Sequence, residues 1–256
     1  MVFQNPALRI AKPLACITEK RIMKELDYCI CYYAEQNRKG IALNLLTFGY
    51  VNFTKAVHVE KITELENFVN NPDFRKQEYF IANVQKFAFE NLLDAIKICI
   101  CFENYMKAKL LLNDFVIHKI IDGPDYESLR KEQNKRPIEL KEIKAIESWK
   151  KVDNQDLYYL PGLTDKTLQF NIMLNKPKYQ RIIGLPVKAK DIISKLNDQR
   201  NTLHFLTGEI GTYGKERVEE LKTIIEFVET ELFILQNQLV DDLNLSKEKK
   251  LKRNAR

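Results

Sequence analysis

The chain reads as a mainly helical protein: an antiparallel helical bundle interrupted by an inserted segment with the pattern of a small β-hairpin. Three observations carry that reading. Apolar residues recur at helical spacing over most of the length. Glycine and proline number only 8 each in 256 residues and gather at a few breaks. Hydrophobic residues make up 45% of the chain, enough to bury a sizeable core.

Taken in order, residues 1–13 form an irregular start. Ala15 to Asn37 reads as a helix, with Ile17, Ile22, Met23, Leu26, Ile30 and Tyr33 on one face. Gly40 is expected to break it. A second helix follows over Ile41–Val59 and a third to Val69, stopped by Asn70-Asn71-Pro72-Asp73. Phe74 to Ile120 holds neither Gly nor Pro and predicts one very long helix or two with an unmarked kink. Asp122-Gly123-Pro124-Asp125 ends it. These helices make a first unit, residues 1–121.

Residues 122–186 change character. Charged stretches alternate with β-like runs at Asp156–Leu160, Thr167–Leu174 and Tyr179–Ile183, and a helix is expected around Ile138–Lys151. This segment reads as an insertion. A second half-bundle covers 187–243, as helices Val187–Thr207 and Lys215–Leu243 joined through Gly208–Gly214. That three-glycine loop fits no phosphate-loop spacing, because no strand precedes it and no Lys-Ser/Thr follows. It reads as a helix connector.

The formal net charge is +6, and Ser246–Arg256 holds six cations against one acid, so the rest carries only +1. Residues 244–256 are therefore a basic tail, expected to be a disordered, solvated end. The competing expectation is a tail that holds RNA, with Lys250 and Arg253 among its contacts. The five cysteines (Cys16, Cys29, Cys31, Cys99, Cys101) are odd in number, and four lie in apolar helical runs where Cys is a small hydrophobe. Pairs two apart on a helix diverge, so neither forms a chelate, and no metal or other cofactor is expected. A reducing cytoplasm fits this usage. Charges and two prolines break Met1–Lys20, so it does not read as a signal peptide. No uncharged apolar run is long enough to span a membrane.

The chemistry concentrates near residue 200. On a wheel of about 100° per residue with Leu196 at zero, Ile192, Ile193 and Leu203 span about −40° to +60°; Arg200 falls inside that stripe and His204 at its edge. A buried Arg is costly unless paired. In the long helix, Glu103 falls among Cys99, Met106 and Leu110 on the apolar arc. The two helices are thus expected to meet through Glu103 and Arg200 or His204, with Asn201 and Asn104 completing a polar cluster. The guanidinium fork matches phosphate oxygens, and His moves protons near neutral pH. Together they suit RNA cleavage without metal: a base takes the 2′-OH proton, that oxygen attacks the phosphate, an acid protonates the leaving oxygen, and Arg stabilises the developing charge. DNA lacks the 2′-OH. The alternative reading is a structural ion pair that fixes helix register.

Arg200-Asn201-Thr202-Leu203-His204 resembles the signature of the HEPN family, an Arg, a polar residue and then a His in a late helix. Phe102-Glu103-Asn104-Tyr105-Met106-Lys107-Ala108 resembles the family's earlier helix, in which a Glu and a Lys-Ala recur four residues apart. Three residues separate Arg200 from His204, where the family usually has four to six. The resemblance implies a HEPN-like bundle and a metal-independent endoribonuclease acting in toxin or antiviral defence. Arg200, Asn201 and His204 would be catalytic, supported by Glu103, Asn104 and Lys107. It also implies a homodimer whose two motifs face one another, which would supply a second His. A non-catalytic RNA- or protein-binding module, or the antitoxin partner of a nucleotidyltransferase, are the alternatives it leaves open.

Other residues have blander readings. His58 and His118 lie in helical runs without a constellation. Trp149 is expected to anchor the insertion. Tyr158, Tyr159 and Tyr179, interleaved with Lys166, Lys176, Lys178 and Arg181, suit either an RNA-stacking surface or a half-buried sheet.

Overall fold

The structure is a computed structural model that describes residues 35–71, 77–146, 150–151, 158–159, 163–202 and 215–254. Within these, the side chains of 59, 77–92, 144, 146, 150–151, 158–159, 165, 201–202, 215 and 246–254 fall outside the description. The fold is mainly helical, with two short antiparallel strand pairs.

Helix α1 (Glu35–Ala56) runs antiparallel to the 36-residue α3 (Gln77–Leu112), which is about 54 Å long at 1.5 Å per residue. Ala42, Leu46, Gly49, Phe53 and Ala56 line one face of α1 and are buried against α3. At Gly49 the backbones nearly touch: a Cβ there would lie 3.1 Å from the Cys101 carbonyl oxygen. Gly40 does not break the chain as the sequence suggests. It sits inside α1, where a glycine costs about 1 kcal/mol of propensity, and packing against α3 outweighs that. Helix α2 (Val59–Asn70) starts on His58, whose Nδ1 accepts from the Lys61 amide at 3.2 Å. His58 is thus a cap rather than a helical residue. Asn71, extended before Pro72, ends α2 as expected.

Helix α3 stays unbroken but stops at Leu112, short of the expected Ile120. Asp114 adopts φ 63°, a left-handed conformation that Asp tolerates, and its carboxylate pairs with Arg38 at the start of α1. Residues His118–Ile120 are strand β1, so His118 is in a sheet rather than a helix. After β1 come α4 (Glu127–Gln133), α5 (Leu140–Ile146), β2 (Lys150–Lys151), β3 (Tyr158–Tyr159) and β4 (Leu163–Thr167). Strands β2 and β3 form the small hairpin, and β1 pairs with β4 with His118 opposite Thr167. Two β-like runs are in fact largely helical: α6 (Phe170–Asn175) and α7 (Pro177–Ile183). Pro177 at the first turn and Gly184 at φ 74° just past the end are helix boundary signals that outrank the β-branched residues between them. Gln133 ties α4 to β1 and α7: its side chain accepts from Ile120 N and donates to the His118 carbonyl, and its backbone carbonyl accepts from the Tyr179 hydroxyl. Helix α7 then packs on α3.

The remaining described elements are α8 (Val187–Thr202), α9 (Lys215–Phe227), a π-helical turn at Val228–Leu232, and α10 (Phe233–Asn254). Helix α8 packs on α3 and α9; α9 reaches α2, and α10 returns along α1. Phe227 stacks on Phe102 at 5.3 Å and meets Tyr105 edge-on at 5.2 Å. The basic residues 244–254 are not a disordered end: α10 continues through Asn254. Among the described residues no helix is long and apolar enough to cross a membrane. The expected helix over residues 15–34, Cys16, Cys29, Cys31, Trp149 and the glycine loop lie outside the described residues.

Candidate functional site

Helices α3, α8 and α9 bring a polar cluster into a largely apolar interface. Their apolar stripes drive the packing: Ile192, Ile193 and Leu196 on α8, Ile98 and Phe102 on α3, and Val218, Leu221 and Ile224 on α9 are all buried. Arg200 sits in the last turn of α8, where its charge also suits the carbonyl end of the helix. As the wheel predicts, it meets Glu103: Nη1 lies 3.7 Å from Glu103 Oε2. That is an ion pair but too long for a hydrogen bond. Nη1 is buried and finds no hydrogen-bond acceptor among the described residues, while the side chain as a whole is 36% exposed.

Glu103 has a closer partner on its own helix. Lys107 Nζ donates to Glu103 Oε1 at 2.7 Å and to Thr167 Oγ1 at 2.9 Å, and its side chain is only 9% exposed. Strand β4 therefore reaches the cluster, which the sequence does not foretell.

Arg217, near the start of α9, is a buried arginine that the wheel of α8 alone misses. It donates to Gln199 Oε1 at 3.3 Å and to Glu220 Oε2 at 3.4 Å, and so ties α9 to the residue before Arg200. A wheel of α9 could have flagged it, since Arg217, Leu221 and Ile224 share one helical face. Burial pushes the Cys99 thiol up to about 12; Arg200 and Arg217 pull it down and Glu103 pushes it up, so all three charges lie close around it. Cys99 is a buried free thiol with no nucleophilic character at neutral pH.

The other expected residues divide. His204 lies outside the described residues, as do the side chains of Asn201, Lys250 and Arg253. Asn104 does not join the cluster. Its Cβ is 3.4 Å from the position a Gly49 Cβ would take, which puts it on the α1 side of α3, away from α8. Lys178 and Arg181 are exposed on α7. Tyr179 is no stacking platform: it is fully buried, and its hydroxyl donates to the Gln133 carbonyl. The side chains of Tyr158 and Tyr159 are not described.

A second charged group lies farther along α3. Asp94, 6% exposed, pairs with Lys61 of α2 and with Lys97. It lines a small apolar cavity with Ile62, Leu65, Ile98, Arg217 and Leu221. No group of three or more His, Cys, Asp or Glu side chains converges among the described residues.

Comparison with family models, with curated proteins and with solved structures finds no match for this chain.

Proposed function

We propose that the Arg200 site binds an RNA phosphodiester and cleaves it without a metal ion, by attack of the ribose 2′-OH. The observation that carries the reading is Arg200 itself. Its guanidinium is held beside Glu103 through the buried Nη1, while the side chain as a whole is still open to solvent over about a third of its surface. The exposed part of an arginine held in this way can turn the donors of its fork toward a phosphate oxygen, whose geometry they match. His204, four residues further along the sequence, would move the proton, and Arg200 would stabilise the charge that develops on phosphorus-bound oxygen. The products are a 2′,3′-cyclic phosphate and a 5′-hydroxyl. The resemblance to HEPN ribonucleases supports the same chemistry and a role in toxin or antiviral defence. In that arrangement a second copy supplies the second His.

Purified protein should cut single-stranded RNA in EDTA. His204→Ala and Arg200→Ala should each abolish cutting while leaving the melting temperature within a few degrees, and a single 2′-deoxy substitution should protect the bond it adjoins. Undiminished cleavage by His204→Ala would remove that residue from the mechanism.

A second reading is a non-catalytic module in which Arg200 and Glu103 only fix the α3–α8 register. The Lys107–Glu103 hydrogen bond favours it, since Glu103 is already engaged inside the bundle. It predicts no RNA turnover and a clear loss of stability in Arg200→Ala, because Glu103 would lose one of two cations.

A further inference from the structure

We propose that the outer face formed by α1 and α10 is a contact between two copies of this chain, separate from the Arg200 site. Helix α1 carries no charged side chain from Gly40 to Thr54. Such a helix is ordinarily covered on all sides, yet here Phe48 is 60% and Val51 42% exposed. On a wheel with Leu46 at zero, the buried residues lie at about −80° to 0°, and Tyr50 and Thr47 at about +40° and +100°. These two meet α10, through the Tyr50–Phe233 ring contact and the Gln236–Thr47 hydrogen bond. Val51, Asn44 and Phe48 follow at about +140° to +200°, beyond the α10 contact. On α10, with Leu239 at zero, Gln236 lies near +60°, and Val240, Phe233 and Asn237 at about +100° to +160°. The two helices are antiparallel, with Lys39 bonded to Asp242 at one end and Tyr50 against Phe233 at the other. These arcs therefore open on the same side and make one continuous face, with Ile234 at its rim.

Three features suit a second copy. Two polar side chains of α1 are bonded to their own helix: Asn52 donates to the Phe48 carbonyl and Thr54 to the Val51 carbonyl, one turn back. The size of the face fits: two helices side by side over some fifteen residues give a patch about 20 Å by 22 Å, on the order of 700–800 Å² of accessible surface per copy, the standard for a stable pair. Its outward charges also complement themselves. Lys55 lies toward one end of the face and Asp241 toward the other, so a two-fold axis in the face, perpendicular to the line that joins them, sets each over its opposite. Contacts to α1 and to α8 leave α3 from different sides, since Asn104 faces Gly49 whereas Glu103 faces Arg200. This face therefore leaves both Arg200 sites uncovered.

Sedimentation equilibrium of the full chain tests it. Wild type should associate at micromolar concentration. Phe48→Asp should weaken that association by at least about 10-fold, and so should Asn237→Arg, made at an exposed position of α10. Arg200→Ala should leave association unchanged, so the outcome is independent of whether the Arg200 site cleaves RNA. A wild type that stays monomeric at about 100 μM, or an Asn237→Arg variant that associates like wild type, overturns the proposal.

Discussion

Removing Glu103 should cost far more than removing its partner Lys107, although one hydrogen bond joins them. In Glu103→Ala, the Lys107 side chain, 9% exposed in the wild type, keeps Thr167 Oγ1 as its acceptor among the described residues, and Arg200 loses the Glu103 carboxylate. Breaking a buried pair and stranding a charge typically costs about 3–5 kcal/mol. Glu103 is itself 21% exposed and Thr167 remains, so about 2 kcal/mol is the better figure here. In Lys107→Met the buried cation disappears, the thioether fills much of its volume, and Glu103 keeps Arg200; the cost should be under about 1 kcal/mol. Glu103→Gln should fall between, because its amide oxygen still accepts from Lys107. Urea denaturation reads the difference. With a slope of about 2–3 kcal/mol/M, Glu103→Ala should lower the midpoint by roughly 0.7–1 M and Lys107→Met by less than half as much. In the double variant Glu103→Ala/Lys107→Met, part of the single-variant loss should return, because no buried cation is left without a partner. Equal losses in the two single variants, with no recovery in the double, would refute the electrostatic account and leave packing as the cause.

Two further outcomes follow from the same structure. The glycines of α1 should answer alanine with opposite signs: Gly40→Ala has nothing within 4 Å and should gain about 0.5–1 kcal/mol from helix propensity. Gly49→Ala meets the Cys101 backbone at 3.1 and 3.3 Å, which can move only with α3, so by calorimetry it should melt below wild type while Gly40→Ala melts above it. In the insertion, the bidentate Arg136 guanidinium holds the Glu142 carboxyl below the usual carboxylate range. A carboxyl depressed in the folded state contributes its stability above the unfolded value and loses it as pH falls through the folded one. Acid titration to below about pH 4 should therefore narrow the stability gap between wild type and Arg136→Ala, a gap of about 1 kcal/mol at neutral pH.

Legibility in the sequence followed the range of the interaction that decides each element. Helical period is local, so α2, α3 and α8 were readable, and so was the Glu103–Arg200 meeting, because an isolated charge on an apolar stripe demands a partner on the facing stripe. Gly40 and the run before Gly184 misled for the complementary reason. A residue type states a cost of at most about 1 kcal/mol, and tertiary burial of α1 against α3, or the Pro177 and Gly184 boundaries of α7, decides whether that cost is met. Thr167 could not be foreseen at all: it reaches Lys107 across 60 positions only because β4 pairs with β1 in one register, and a one-residue slip would turn its side chain to the other face. The same argument separates Asn104 from Glu103. Adjacent residues on a helix differ by about 100°, enough to send one toward Gly49 and the other toward Arg200. A motif read as a string groups such neighbours together; the helix parts them, and the cluster gains instead Arg217 and Thr167, which no contiguous motif contains.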